Sequence, residues 1–486
     1  MDKQIEIIQK AATFIEEKNY LEAKKILLNY EKENKNIKFD IKFYYTLYLV
    51  SDGLKEVQSS KRYLERCLKF NKKNHVVLNN LGNIFFREGN IQKAEKFYLN
   101  SYKHKDNYLI VTINLAILYQ NLGRLKESKK FYLKAIDLSP KQISLYSNLS
   151  RIDKDFLDQE KINYISSLLN DHRIELSEKS FGYFLLAEYE KKKKNFSKEM
   201  LYLNKGNQSS FDSKKKTNSI TLNYWQNVIT KKYNKFVFSN HKKENKFENL
   251  SPIFIIGLPR SGSTIVDVLL SSANKNIVSM GESNIFNGII AKGFSTEQGN
   301  LLDLSVIKKK ISAIFKEDNL VLNNEIFIDK SLENFFYIDV ILEVFPKAKF
   351  INTFRNLEDN IFAIFTISLS KLSWTHSLDT IVKYIDDYLR IINYFIKKYP
   401  DKILRVNLEE LTNKPDEISK KIYTFCNLKW SDKILNFQKR EDLLVSTASN
   451  IQIREKIKKY DFEKYNSYKK LLENFESQYE WINKKN

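Results

Sequence analysis

The sequence predicts a helical repeat array followed by an α/β domain with a parallel sheet, and three observations carry that prediction. Residues 43–140 overlay on themselves at an offset of 34. Residues 255–264 read Ile-Ile-Gly-Leu-Pro-Arg-Ser-Gly-Ser-Thr, a phosphate-binding loop set between an apolar run and a helical one. Short β-like runs at 252–257, 325–329, 348–354 and 403–408 then alternate with helical stretches. A chain of 486 residues has room for two or more such domains, each with its own core.

In the first half, Leu47, Leu81 and Leu115 fall in one column of the overlay. Ser60, Ala94 and Ser128 form a second, and Tyr63, Phe97 and Phe131 a third. Leu64, Tyr98 and Tyr132, then Cys67, Ser101 and Ala135, complete the set, with Gly89 and Gly123 at a repeated turn. Small residues where two helices meet, large ones beside them and a turn glycine resemble the tetratricopeptide repeat, whose period is about 34 residues. Residues 11–30 and 183–206, the latter with Asn195-Phe196 at its turn, read as degenerate units. One unit cannot bury its apolar face alone, so the units must stack. The expected division is repeats over 1–207, a polar connection over 208–250, and the α/β domain over 251–486.

The net charge of +22 raises the question of nucleic acid. The cations are spread along the chain, however, with only short clusters such as Lys191–Lys194, which reads as a lysine-rich solvated surface. No nucleic-acid partner is expected. Only 12 of the 81 cationic residues are arginine, so an arginine just after a β-like run, as at Arg260 and Arg355, suggests that a planar fork for a phosphate-type ligand is wanted. Cys67 and Cys426 belong to no metal or C-x-x-C pattern, and no His/Cys/Asp cluster has ligand spacing, so no metal is expected. No leader-like apolar region or membrane-length run is present, and the expectation is a cytoplasmic protein without a membrane partner.

The loop decides the chemistry. Gly257, Gly262 and Thr264 fit G-x-x-x-x-G-K-[ST], except that Ser263 stands where the lysine of an NTP-hydrolysing loop belongs. The strong cation is instead Arg260, inside the loop. Backbone N–H groups at a helix start remain available for an anion. A kinase or NTPase reading survives only with magnesium-dependent ATP turnover.

Further elements at the predicted strand ends complete the pattern. Pro259-Arg260-Ser261-Gly262-Ser263-Thr264 is followed by Met280-Gly281-Glu282-Ser283, and Asp329-Lys330 by Asn334. Phe345 to Asn356 (Phe-Pro-Lys-Ala-Lys-Phe-Ile-Asn-Thr-Phe-Arg-Asn) precedes Asp359, and Val406 to Pro415 and Thr447-Ala448-Ser449 with Gln452 and Arg454 follow. This ordered set resembles the sulfotransferase family that uses 3′-phosphoadenosine 5′-phosphosulfate, and in particular its tetratricopeptide-repeat and tyrosylprotein members. The resemblance implies that Pro259, Arg260, Ser261, Gly262, Ser263 and Thr264 hold the 5′-phosphosulfate and that Arg355 takes the 3′-phosphate. It places Lys330 near the bridging oxygen or sulfonate, makes Glu282 the proposed base, and makes Ser449 and Lys464 further cofactor contacts. His376 is a second candidate base with a context that reads as structural. The product would be adenosine 3′,5′-bisphosphate and a sulfated hydroxyl.

Three positions depart from the family pattern: Leu357 for a proline, Ala363 for a phosphate-binding serine, and Leu408 for an aromatic residue. They keep open an alternative, a repeat-based interaction scaffold with a vestigial nucleotide fold. The acceptor stays open among protein tyrosine, carbohydrate, lipid and small alcohol. The repeats lean toward a polypeptide or partner-delivered substrate.

Overall fold

The computed structural model describes residues 2–239, 246–273, 277–294, 301–317, 326–440 and 452–482. Contacts divide the chain into two compact units, one built on Met1–Pro140 and the other on Lys141–Ile311 and Leu322–Asn486.

The first unit is a stack of helical hairpins. Helices Ile41–Gly53, His75–Arg87 and Leu109–Asn121 recur at the period of the overlay, each answered by a partner at Val57–Phe70, Ile91–His104 and Leu125–Leu138. Asp2–Glu16 and Tyr20–Glu33 form the expected degenerate hairpin. Side chains of Asp40, Asn74 and Asn90 accept backbone N–H bonds at three helix starts, satisfying donors that the helix itself leaves open. The small-residue columns hold the hairpins shut: the Ser101 hydroxyl donates to the His75 carbonyl (2.7 Å) and Ser128 to that of Ala116 (2.8 Å). The turn needs a left-handed residue. Glycine supplies it at Gly89 and Gly123, but lysine does so at Lys18 and Lys55, which is why the glycine column is incomplete.

The second unit begins with further helices, including the hairpin Leu176–Lys192 and Phe196–Asp212, and continues into sheets. The strands are β1 (Val237–Ser239), β2 (Ile253–Gly257), β3 (Val278–Ser279), β4 (Leu301–Asp303), β5 (Phe327–Asp329), β6 (Lys349–Phe354) and β7 (Ile403–Asn407). β1 and β4 pair alone; the others form a parallel sheet in the order β3-β5-β2-β6-β7. Each β-like run of the sequence thus contains a strand, whereas β1, β3 and β4 are too short to leave a periodic signal. On one face Ile253, Ile255, Ile328, Ile351 and Val406 pack against Val266 and Leu269 of one helix and Ile418 and Ile422 of another. On the other, Phe254 meets Phe286, Phe345 and Phe350. Helices on both faces explain why the central strands are apolar without alternation. β5 and β6 flank β2 on opposite sides, so the loops leaving their carboxyl ends part and open a crevice there. No described helix is long and apolar enough to cross a membrane.

Candidate functional site

β2 ends at Gly257, and the loop turns into helix Ser263–Ser271. Three residues make the turn at positive φ: Gly257 (141°), Arg260 (67°) and Gly262 (92°). A Cβ at Gly257 would lie 2.3 Å from the Thr353 carbonyl oxygen, so only glycine lets β6 approach. A Cβ at Gly262 would lie 2.7 Å from Leu408 Cδ1, which places the departing Leu408 directly against the phosphate loop. Ser261 donates to the Leu258 carbonyl (2.6 Å) and shares a hydrogen bond with Thr353 (2.8 Å). Asn360 donates to the Pro259 carbonyl (2.8 Å), tying the loop to the helix after β6. Ser263 and Thr264 begin the helix and are buried.

Arg355 follows β6 and is 9% exposed. Its Nη1 donates to the Arg260 carbonyl (3.3 Å), its Nε to the Tyr460 hydroxyl (3.0 Å), and its Nη2 to that same hydroxyl. Tyr460 in turn donates to Asp359 Oδ2 (2.5 Å), which lies 3.7 Å from Arg355. Partial desolvation, then the charges of Arg260 and Arg355, push the Lys464 ammonium below its ordinary value although its chain is exposed. Burial first, then Arg355 and Arg151, push the Arg260 guanidinium down. The structure therefore brings Arg260, Arg355 and Lys464 within electrostatic reach of one another, and adds Arg151, Tyr460 and Tyr465. Arg151 lies within the stretch the sequence reads as repeats. Tyr460 is one of 28 tyrosines and has no motif around it, so nothing in the sequence marks it. Ser449 lies outside the described residues. Ala363 is buried in helix Leu357–Phe365 and contributes no donor.

The second cluster forms at the ends of β3 and β5. The Met280 N–H donates to the Ile328 carbonyl and the Lys330 N–H to the Gly281 carbonyl, both at 2.8 Å, so the ladder runs past the strands and carries Glu282 to Lys330. Lys330 is 2% exposed, and its Nζ donates to Glu282 Oε1 at 3.1 Å. Asp329 is buried and accepts from Ser283, from the Ser331 N–H (2.8 Å) and from Asn334 (3.2 Å); burial pushes its carboxyl up. Asp267 accepts from Ser279 (2.7 Å) and is also pushed up by burial, with Lys330 opposing. Glu333, three residues past Lys330, is pushed up to about 7 by burial, with Glu282 and Asp329 adding and Lys330 opposing.

His376 is buried with its ring 5.9 Å from that of Phe211 (centroid to centroid), and burial holds it down to about 4. No hydrogen-bond partner is found for either ring nitrogen among the described residues. No group of three or more metal-ligating side chains is found among the described residues.

Two family models match parts of this chain. Residues 252–432 match the model of the sulfotransferase family, and residues 113–142 that of the tetratricopeptide repeat. An uncharacterized protein of Aquifex aeolicus (strain VF5) is 26% identical over 336 residues, covering 64% of this chain. The match spans less than half of that relative, 43% of its length. Among solved structures, a tetratricopeptide repeat protein from Parabacteroides merdae ATCC 43184 is similar at 12% identity and a TM-score of 0.33, over 48% of this chain and 95% of that one. The sulfotransferase domain of the Synechococcus PCC 7002 olefin synthase is similar at 18% identity and a TM-score of 0.30, over 46% and 90%. Residues 252–432 are thus similar to the sulfotransferase family, in a chain whose helical part is similar to tetratricopeptide repeats.

Proposed function

We propose that this chain transfers a sulfuryl group from 3′-phosphoadenosine 5′-phosphosulfate to a hydroxyl acceptor, releasing adenosine 3′,5′-bisphosphate. The observation that carries this reading is the convergence of Arg260, Arg355 and Lys464 beside the start of helix Ser263–Ser271, with the carboxylates of Asp359 and Asp461 in reach among the described residues. A cluster of cations next to the N-terminal end of a helix fits a ligand with anionic groups at two points. The donor supplies an activated sulfonate on a phosphate leaving group. Arg260 and the loop N–H groups bind the 5′ end, and Arg355 binds the 3′-phosphate, the group that separates this donor from an NTP. Lys330 lies at the other cluster and offsets the charge that builds on the leaving oxygen. A carboxylate beside Lys330 accepts the acceptor's proton, and Glu282 is the residue that the family pattern marks for it. The repeats present the acceptor or the partner that delivers it.

Incubation with donor radiolabelled in its sulfonate, followed by an acceptor screen across peptides, glycans and phenols, tests the reading. Label transferred to a hydroxyl with release of adenosine 3′,5′-bisphosphate supports it. Absence of both transfer and nucleotide binding would contradict it and leave the repeats as the functional part.

A further inference from the structure

The guanidinium assigned above to the 3′-phosphate already grips an oxygen. Arg355 donates from Nε (3.0 Å) and from Nη2 to the hydroxyl of Tyr460, and that hydroxyl donates to Asp359 Oδ2 (2.5 Å). Nη1 is turned the other way, to the Arg260 carbonyl (3.3 Å). Nε and Nη2 form an edge with which an arginine can hold a phosphate through two parallel bonds, so the tyrosine oxygen stands where a phosphate oxygen would. The Tyr460 ring covers the same group, its centroid 4.8 Å from Arg355 Cζ. The chain around Tyr460 is fastened unequally. Tyr465 and Tyr468 are buried and stack on Phe362 (ring centroids 6.5 and 5.2 Å apart), and Tyr468 also accepts from Lys191 (2.9 Å) and donates to Glu199. Lys458, Lys459 and residues 461–464 are exposed. Tyr460 is thus able to leave Arg355 without unpacking the anchors behind it.

We propose that the Tyr460 hydroxyl competes with the donor's 3′-phosphate for Arg355, and so sets the affinity of the site for donor and product alike. A phosphate displaces the hydroxyl because it brings charge: a bond between two ionised groups is roughly twice as strong as one between neutral groups. Asp359 acts in the same direction as Tyr460. It lies 3.7 Å from the guanidinium, and its charge opposes an arriving anion. A nucleotide without a 3′-phosphate offers Arg355 nothing and leaves the tyrosine in place.

The inference rests on the sulfotransferase reading, and the two fail separately. Calorimetry on the full chain compares adenosine 3′,5′-bisphosphate with adenosine 5′-phosphate. Y460F keeps the ring and removes the competing oxygen, so the bisphosphate should bind about 10-fold more tightly and the monophosphate as before. Asp359 could take the guanidinium once the hydroxyl is gone, so the same comparison is made between D359N and D359N/Y460F, where a gain of about 10-fold is again expected. Bisphosphate affinity that falls or stays unchanged in this second comparison would overturn the inference, since the hydroxyl would then hold the phosphate or only pack against Arg355. A chain that binds neither nucleotide contradicts the sulfotransferase reading instead. The contact has a readout without any nucleotide: phenylglyoxal, followed by peptide mass spectrometry, should modify Arg355 about 10-fold faster in D359N/Y460F than in D359N. Equal rates would overturn the inference whether or not nucleotide binds.

Discussion

The two clusters of the site are built from opposite charge balances. At the end of β6, among the described residues, Arg260, Arg355 and Lys464 face the buried Asp359, whose oxygen is occupied by Tyr460, and the exposed Asp461. At the end of β5, the buried Lys330 ammonium pairs with Glu282, and the neighbouring Asp329 and Asp267 carboxylates are pushed up by burial. A surplus of cations in a half-buried place is tolerable only if an anion offsets it, and a surplus of carboxylates only if a proton does. The first cluster is therefore suited to hold a ligand and the second to handle a proton, although both sit on the same edge of one sheet.

Substitutions can break or sharpen that contrast. Lys330→Met removes the ammonium that pairs with Glu282. The expected result is a fall in turnover of about 10²–10³-fold with affinity for adenosine 3′,5′-bisphosphate changed only a few-fold, read by steady-state kinetics beside calorimetry. An equal loss of affinity would mean that the two clusters are not separate in function.

Gly262→Ala acts on the other side. It forces a Cβ to within 2.7 Å of Leu408 Cδ1 at a φ of 92°. A cost of about 1–3 kcal/mol is expected, seen as a lower melting temperature and weaker nucleotide binding, with turnover at saturating donor affected least.

Lys464 gives the smallest effect and a sign. Its ammonium is held below its ordinary value and a bound anion favours the charged form, so affinity should fall as pH rises through that lowered value. The decline should begin below the point, about pH 10.4, at which a solvated lysine would lose its charge. Lys464→Met should bind a few-fold more weakly at neutral pH and lack this decline. A wild-type affinity that stays flat to the pH of an ordinary lysine would remove Lys464 from the phosphate end.

The phosphate loop, the Asp-Lys element and the arginine after β6 were legible because each is local: a few residues in fixed spacing at the end of an apolar run. The hairpin period was legible because the same contacts recur every 34 residues, as where Cys67 and Ser101 each donate to the first carbonyl of the helix before them, at Ile41 and His75. Tyr460 and Arg151 were not. Tyr460 reaches Arg355 from 105 residues away through a loop without periodicity. Arg151 ends a helix that looks like any other in a repeat array.

Binding of adenosine 3′,5′-bisphosphate beside adenosine 5′-phosphate, on the wild type and on Arg355→Ala, tests the central claim most directly. Removing one charge-assisted partner of a phosphate costs about 1.5–3 kcal/mol, a loss of roughly 10- to 150-fold. The account predicts that the wild type prefers the bisphosphate by about that factor and that Arg355→Ala abolishes the preference while still binding the monophosphate. Equal affinity of the wild type for the two nucleotides, or a preference that survives in Arg355→Ala, would contradict it.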